Sequence, residues 1–291
     1  MWVWEHHLMS PPDWRRAARL ALPADAQLTG FSRLQELGLD EGPVFPLHFV
    51  VARDHHVRID GITLHRTDRM PPLDDVGVTP AAAFIAVCAE STVMTAACIG
   101  DWLLHRRHMG LAEVRELAQH ERWRAGAVEA LWIGRYLDAA ARSIAESRWR
   151  MRLAFAGLPA PAVNAPILDR SGAQVAIGDL AYLRWRTVAE YEGEQHQRDR
   201  AQYLTDITRY GDFRDLGLDY VQLTRETPAV NGVLAVYRAL RANGYAGPPP
   251  AFGARWRSLG APLSRVARSG AWSTHQAADH VDGAPQDRAI G

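Results

Sequence analysis

Apolar positions along the chain follow two periods, and the place where one gives way to the other divides it. A helical pattern runs from Asp13 to Leu22, after Pro11 and Pro12 and with Asp13 as a candidate cap, and a shorter one runs from Ser32 to Leu37 before Gly38. LHFVVARD (Leu47 to Asp54) and VRIDGITLHRT (Val57 to Thr67) then alternate or run apolar on either side of His55 and His56, which predicts a hairpin. Thr79-Pro80 supplies a capping hydroxyl and a proline whose missing N–H costs nothing in a first turn. From there to Arg152 the pattern is helical, with breaks near Glu90-Ser91, at Gly110 and around Gly126. Leu103, Leu104, Leu111, Val114, Leu117, Leu131, Ile133 and Leu137 are its predicted core. Arg106-Arg107-His108 reads as a cationic helix end that suits the dipole.

A boundary is expected between Ala125 and Ser143, after which the organisation changes. A helix from Ser143 to Phe155 ends at Gly157, a strand follows from Val163 to Leu168, and a turn lies at Asp169 to Gly172. The stretch GDLAYLRWRTVAEYEGEQH (Gly178 to His196) then reads as two adjacent strands, with Tyr182 and Thr187 flanking a tight turn. A helix-prone segment (His196 to Asp215), a strand (Tyr220 to Leu223) and a helix (Ala229 to Ala242) complete the unit. The fold expected is α/β: a helix-rich α+β domain over 1–142 and a mixed sheet flanked by helices over 143–243. The Gly-, Pro-, Ala- and Arg-rich residues 244–291 are expected to be a disordered tail.

Composition narrows the classes of function. Lys plus Arg and Asp plus Glu both total 33, so no global field draws the chain to nucleic acid or membrane, and every one of those cations is arginine. Cys88 and Cys98 alone support neither a disulfide framework nor a cysteine zinc site, which points to a reducing cytoplasm. No run has the length of a membrane span, and the first residues lack the apolar core of a signal peptide.

The acids carry the candidate chemistry. Side chains alternate across a strand, so Glu190 and Glu192 share a face that Tyr191 does not, and Asp179 lies on the neighbouring strand. Acids that close repel unless a cation neutralises them, and Mg²⁺ held by Asp179, Glu190 and Glu192 would do so. Glu146 on the preceding helix is a further candidate acid, and His196 follows the second strand as a candidate proton carrier. The plainer reading makes the strand acids a charged edge against aggregation and Glu146 an intrahelical partner of Arg150. Arg148-Trp149-Arg150 and Arg184-Trp185-Arg186 can bind phosphates and stack on bases, or the tryptophans can fill the core. The histidine pairs at 6–7 and 55–56 suggest a metal, but adjacent strand residues point to opposite faces.

With ESRWR, GDLAY, AEYEGEQH, the spacing of Asp206 and Arg209, and LGLDYVQLT in that order, residues Ser143 to Leu240 resemble the very-short-patch-repair-like endonuclease domain of the PD-(D/E)XK superfamily. The resemblance implies a restriction-endonuclease-like sheet, Mg²⁺, and DNA as partner. It further implies Asp179 and Glu190 as metal-binding acids, Glu146 as the helix acid, His196 in the active site, and Arg209 at a position that can meet nucleic acid. Glu192 stands where many members of the superfamily carry lysine. The N-terminal half, through VRIDGITLHRT and VGVTPAAAFIAVCAE, resembles the region preceding this domain in abortive-infection-type (type IV) antitoxins of actinobacteria. That implies the alternative of a non-catalytic antitoxin or transcriptional regulator with a partner toxin protein.

Overall fold

A computed structural model describes residues 8–169, 171–193, 213 and 216–269 of the chain. It is an α/β structure of two compact units, the first formed by Met1–Gly134 with Pro262–Ser269 and the second by Arg135–Ala261.

In the first unit, helix α1 (Pro11–Ala21) is capped by Ser10, not by Asp13. Asp13 lies at the third helical position, where its carboxylate accepts the Ser10 N–H at 3.0 Å, so two otherwise unpaired amides are satisfied reciprocally. Strands β1 (Gln27–Leu28), β2 (Leu47–Val51) and β3 (Ile62–Arg66) form a sheet in that order, with α2 (Gly30–Glu36) between β1 and β2. The expected hairpin is not what forms: β2 and β3 run parallel, Leu47 beside Ile62 and Val51 beside Arg66. Alternation specifies which residues share a face and is silent about strand direction. Residues 52–61 carry the chain back to the start of β2, where Leu47 N–H donates to the Gly61 carbonyl at 2.7 Å. One face of the sheet packs Leu47, Phe49, Ile62 and Leu64 with Ala18, Leu22 and Leu28. By the pleat, His48, Val50 and His65 occupy the other face.

Four helices follow: α3 (Pro80–Glu90), α4 (Val93–His105), α5 (Leu111–His120) and α6 (Ala127–Ile133), broken where the sequence pattern breaks. Phe84, Ile85, Ile99, Leu103, Val114 and Ile133 are buried, whereas Leu104, Leu111, Leu117, Leu131 and Leu137 of the predicted core are half-buried. Gly126, at φ +89°, caps α6, and a Cβ there would lie 1.8 Å from the Ile85 carbonyl oxygen of α3. Only glycine permits both that conformation and that approach.

The second unit holds α7 (Ile144–Phe155) and a sheet of order β4 (Ala162–Leu168), β5 (Gln174–Tyr182), β6 (Thr187–Glu192) and β7 (Asp219–Thr224), followed by α8 (Ala229–Ala242). β4, β5 and β6 pair antiparallel, and β6 and β7 pair parallel. Trp149 and Leu153 of α7 and Val233, Val236 and Leu240 of α8 cover one face through Leu180, Tyr182, Ala189, Val221 and Leu223. On the opposite side Ala165, Ile167, Ala181 and Val188 gather with Phe213 and Tyr220. The unit begins at Arg135, inside the expected interval of Ala125 to Ser143 and ahead of the 142/143 limit, because Tyr136 packs on Phe155 at 5.2 Å and the Ala140 carbonyl accepts the Asn164 amide at 2.8 Å.

Up to residue 269 the expected disorder of 244–291 is also corrected. Tyr245 packs on Trp185 and Phe252 on Trp256, Ala251 N–H donates to the Ala156 carbonyl at 2.9 Å, and α9 (Ala254–Arg257) follows. α10 (Leu263–Arg268) belongs to the first unit, where Leu263 N–H donates to the Ser91 carbonyl at 2.8 Å. The composition is poor in large apolar residues, but those it has are spaced so that each finds a partner. No helix among the described residues is long and apolar enough to cross a membrane.

Candidate functional site

β5 and β6 pair through Leu180–Ala189, Ala181–Val188 and Tyr182–Thr187, with Leu183–Trp185 as a 3-10 turn and Arg186 at φ +44° closing it. Beyond Ala189, β6 continues beside β7, Glu190 opposite Gln222 and Glu192 opposite Thr224. At that point a side chain takes over from the ladder: Asp179 Oδ2 accepts the Tyr191 N–H at 3.0 Å. Asp179 is thereby fixed against the residue that follows Glu190, and the two acids sit at one end of the β5–β6 pair. Glu190 is buried, 6% exposed, on an inner strand, which excludes the solvated-edge reading for it.

Tyr191 packs against the helix-covered core, and Glu192 faces away from it as the alternation requires. Its carboxylate is occupied from β7: Tyr220 O–H donates to Oε1 at 2.9 Å, and Gln222 Nε2 donates to Oε2. Among the described residues, Asp179, Glu190 and Glu192 do not bring three ligand atoms within 4.8 Å of one another. Glu192 is a cross-strand acceptor that ties β6 to β7.

Glu146 is 8% exposed and is engaged in the fold. Its Oε2 accepts the Arg142 N–H at 2.9 Å and the Asn164 side-chain amide at 2.6 Å, while Ser143 Oγ accepts the Glu146 N–H at 3.1 Å as the helix cap. Asn164 adopts φ +47° within β4, so Glu146 clamps the start of α7 to an irregular strand residue.

The tryptophans fill the core. Trp149 is 1% exposed and lies so close to α8 that a Cβ on Gly232 would come within 2.3 Å of its ring. Trp185 is partly buried between Tyr182 and Tyr245. Of the arginines beside them, Arg150 is buried at 9%, Arg148 is half-buried and Arg184 is exposed over the Trp185 ring. Arg186 is exposed but donates to the carbonyls of Gly217 and Leu216, at 2.9 and 2.6 Å, which makes it a staple of the loop before β7. His196, Asp206 and Arg209 lie outside the described residues. Beneath the turn, burial pushes the Tyr182 phenol well above its ordinary range, and its hydroxyl has no hydrogen-bond partner among the described residues.

The first unit holds a group of donors that the residue pattern does not reveal. His48 of β2, His65 of β3 and Glu90 at the end of α3 bring ligand atoms within 4.8 Å of one another. His48 and His65 are seventeen positions apart in sequence, and only the parallel pairing of β2 and β3 puts them diagonally on one face. The adjacent pair at 55–56, which attracts attention in the sequence, is not part of this group, and the pair at 6–7 lies outside the described residues.

The chain is similar to two proteins of Mycobacterium tuberculosis, "Uncharacterized protein Rv2248" of strain ATCC 25618 / H37Rv and "Uncharacterized protein MT2308" of strain CDC 1551 / Oshkosh. Each is 27% identical over 148 residues, which is 51% of this chain and 54% of the relative. The chain thus spans about half the length of the curated relatives it matches. No family model and no solved structure matches it.

Proposed function

We propose that the second unit hydrolyses phosphodiester bonds in DNA with Mg²⁺ held by Asp179 and Glu190. One observation carries the reading: where β5 parts from β6, the Asp179 carboxylate is held on the amide next to Glu190, so that acids from two strands meet at the point where the strands separate. The succession α7, β4, β5, β6, β7, α8, with an antiparallel run and a parallel last pair, also accords with the resemblance to very-short-patch-repair-like endonucleases.

The donors suit that ion. Mg²⁺ prefers one or two carboxylates and keeps several waters, and two acids satisfy that preference without Glu192. When bound, the ion supplies a water made acidic enough to attack phosphorus, and charge to offset the leaving oxygen. The chain's own part is positional. The Tyr191 amide fixes the orientation of Asp179, the β6–β7 ladder fixes Glu190, and the Tyr220 and Gln222 bonds to Glu192 hold that ladder in register.

A scaffold role, as in a non-catalytic antitoxin or regulator, is favoured by Glu192 occupying the usual lysine position in a chain that has no lysine. One assay separates the two. Supercoiled plasmid incubated with the full chain and Mg²⁺ is nicked or linearised on the nuclease reading, and Glu190→Gln removes that activity. Intact plasmid with wild-type protein leaves the scaffold reading; equal cleavage by Glu190→Gln removes the proposed site.

A further inference from the structure

We infer that His48, His65 and Glu90 form a binding site for a divalent first-row transition metal ion in the first unit, with its remaining coordination positions open to a cavity. The site is separate from Asp179 and Glu190 and does not rest on the nuclease reading.

The geometry is that of cis ligands. His48 Nδ1 and His65 Nε2 are 2.9 Å apart, and the Glu90 carboxylate completes a set within 4.8 Å. Two nitrogens about 2.1 Å from one ion and roughly at right angles would be separated by about 3.0 Å. The donors come from three elements, two neighbouring strands and a helix end, whose positions the fold sets independently. β2 is pinned at His48, whose N–H donates to Ser32 Oγ at 2.9 Å and whose carbonyl accepts the Thr29 N–H at 3.0 Å. His48 is buried, His65 half-buried and Glu90 exposed, so the group spans the wall of a cavity of about 930 Å³ and is reached from outside.

Donor chemistry selects the class of ion. Two imidazoles and one carboxylate suit Zn²⁺, Fe²⁺, Co²⁺ or Ni²⁺, whereas Mg²⁺ and Ca²⁺ prefer all-oxygen sets. A site with three protein ligands leaves positions for water or a small ligand, unlike a closed structural zinc site. Burial lowers both imidazoles from their ordinary value, opposed by the Glu90 charge. A bare imidazole–imidazole hydrogen bond would account for the 2.9 Å separation but gives no reason for the carboxylate to converge on both rings.

The full chain, stripped with chelator, is titrated with Co²⁺ followed by visible absorption, and then with Zn²⁺ in competition. One equivalent of Co²⁺ should bind with a d–d band and be displaced by Zn²⁺. His65→Gln should weaken Zn²⁺ binding about 100-fold or more, and Glu90→Gln about tenfold. Glu90 is exposed at a helix end, so its variant keeps the fold, which far-UV circular dichroism verifies. Failure of the wild type to bind one equivalent would overturn the inference, as would wild-type affinity in both His65→Gln and Glu90→Gln.

Discussion

Glu146→Ala separates a structural acid from a catalytic one. The substitution removes the acceptor of two part-buried hydrogen bonds, from the Arg142 N–H and the Asn164 side-chain amide. A hydrogen bond to a charged group contributes about 1.5–3 kcal/mol, and an acid in the first turn of a helix about 0.3–1 kcal/mol. Asn164 retains its bond to the Ala140 carbonyl, and water can enter the gap, so the lower part of the range applies. The expected loss is about 3 kcal/mol, or a fall in Tm of roughly 6–12 °C. Glu146→Gln keeps an acceptor oxygen without the charge and should lose about half as much. Urea unfolding followed by tryptophan fluorescence measures both, with the midpoint shifting at constant m-value. A loss under about 1 kcal/mol for Glu146→Ala, or equal losses for the two variants, would refute the clamp and return Glu146 to the catalytic set.

Three further outcomes follow from particular contacts. Gly126→Ala should destabilise the first unit by more than about 3 kcal/mol, read by thermal unfolding, because its φ is +89° and the new Cβ meets the Ile85 carbonyl. Tyr182→Phe should leave Tm unchanged or raise it, since it deletes a buried hydroxyl with no partner among the described residues; a clear fall would show that the phenol is satisfied. Asp74 is held below the ordinary carboxyl value of 3.8: burial works against this, but the Val76 and Gly77 N–H groups and the Arg33 guanidinium outweigh it. A carboxyl lowered by folding contributes stability that is present above its unfolded pKa and lost as pH falls through the folded one. The stability gap between wild type and Asp74→Asn, measured by urea unfolding, should therefore be full at neutral pH and close as pH drops below 3.8.

Much of the second unit is legible in the sequence. α8 spans Ala229–Ala242 as the apolar period predicts, and Tyr182 pairs with Thr187 across the expected turn. Pro80 marks the start of α3 and Gly126, at φ +89°, the break between α5 and α6, because a missing N–H or a backbone with φ > 0 leaves a residue-type signature. Strand direction leaves none, so the parallel pairing of β2 and β3 and the histidine pair it creates are invisible in the alternation. Arginine roles are equally hidden. Arg186 and Arg184 look alike in RWR, yet one grips loop carbonyls and the other lies over an indole. Asp179 and Glu190 are brought to one place as their strand positions imply, whereas the competition of Tyr220 and Gln222 for Glu192 depends on β7, thirty residues away.

The rate of plasmid cleavage in Mg²⁺ for Asp179→Asn against wild type tests whether Asp179 is a metal ligand. The asparagine carbonyl can still accept the Tyr191 amide, so the fold is retained while one anionic ligand is lost. The variant should cleave at a rate at least about 100-fold lower at unchanged Tm, with wild-type activity abolished by chelator. Cleavage by Asp179→Asn at the wild-type rate, or undiminished wild-type cleavage in EDTA, would contradict that role.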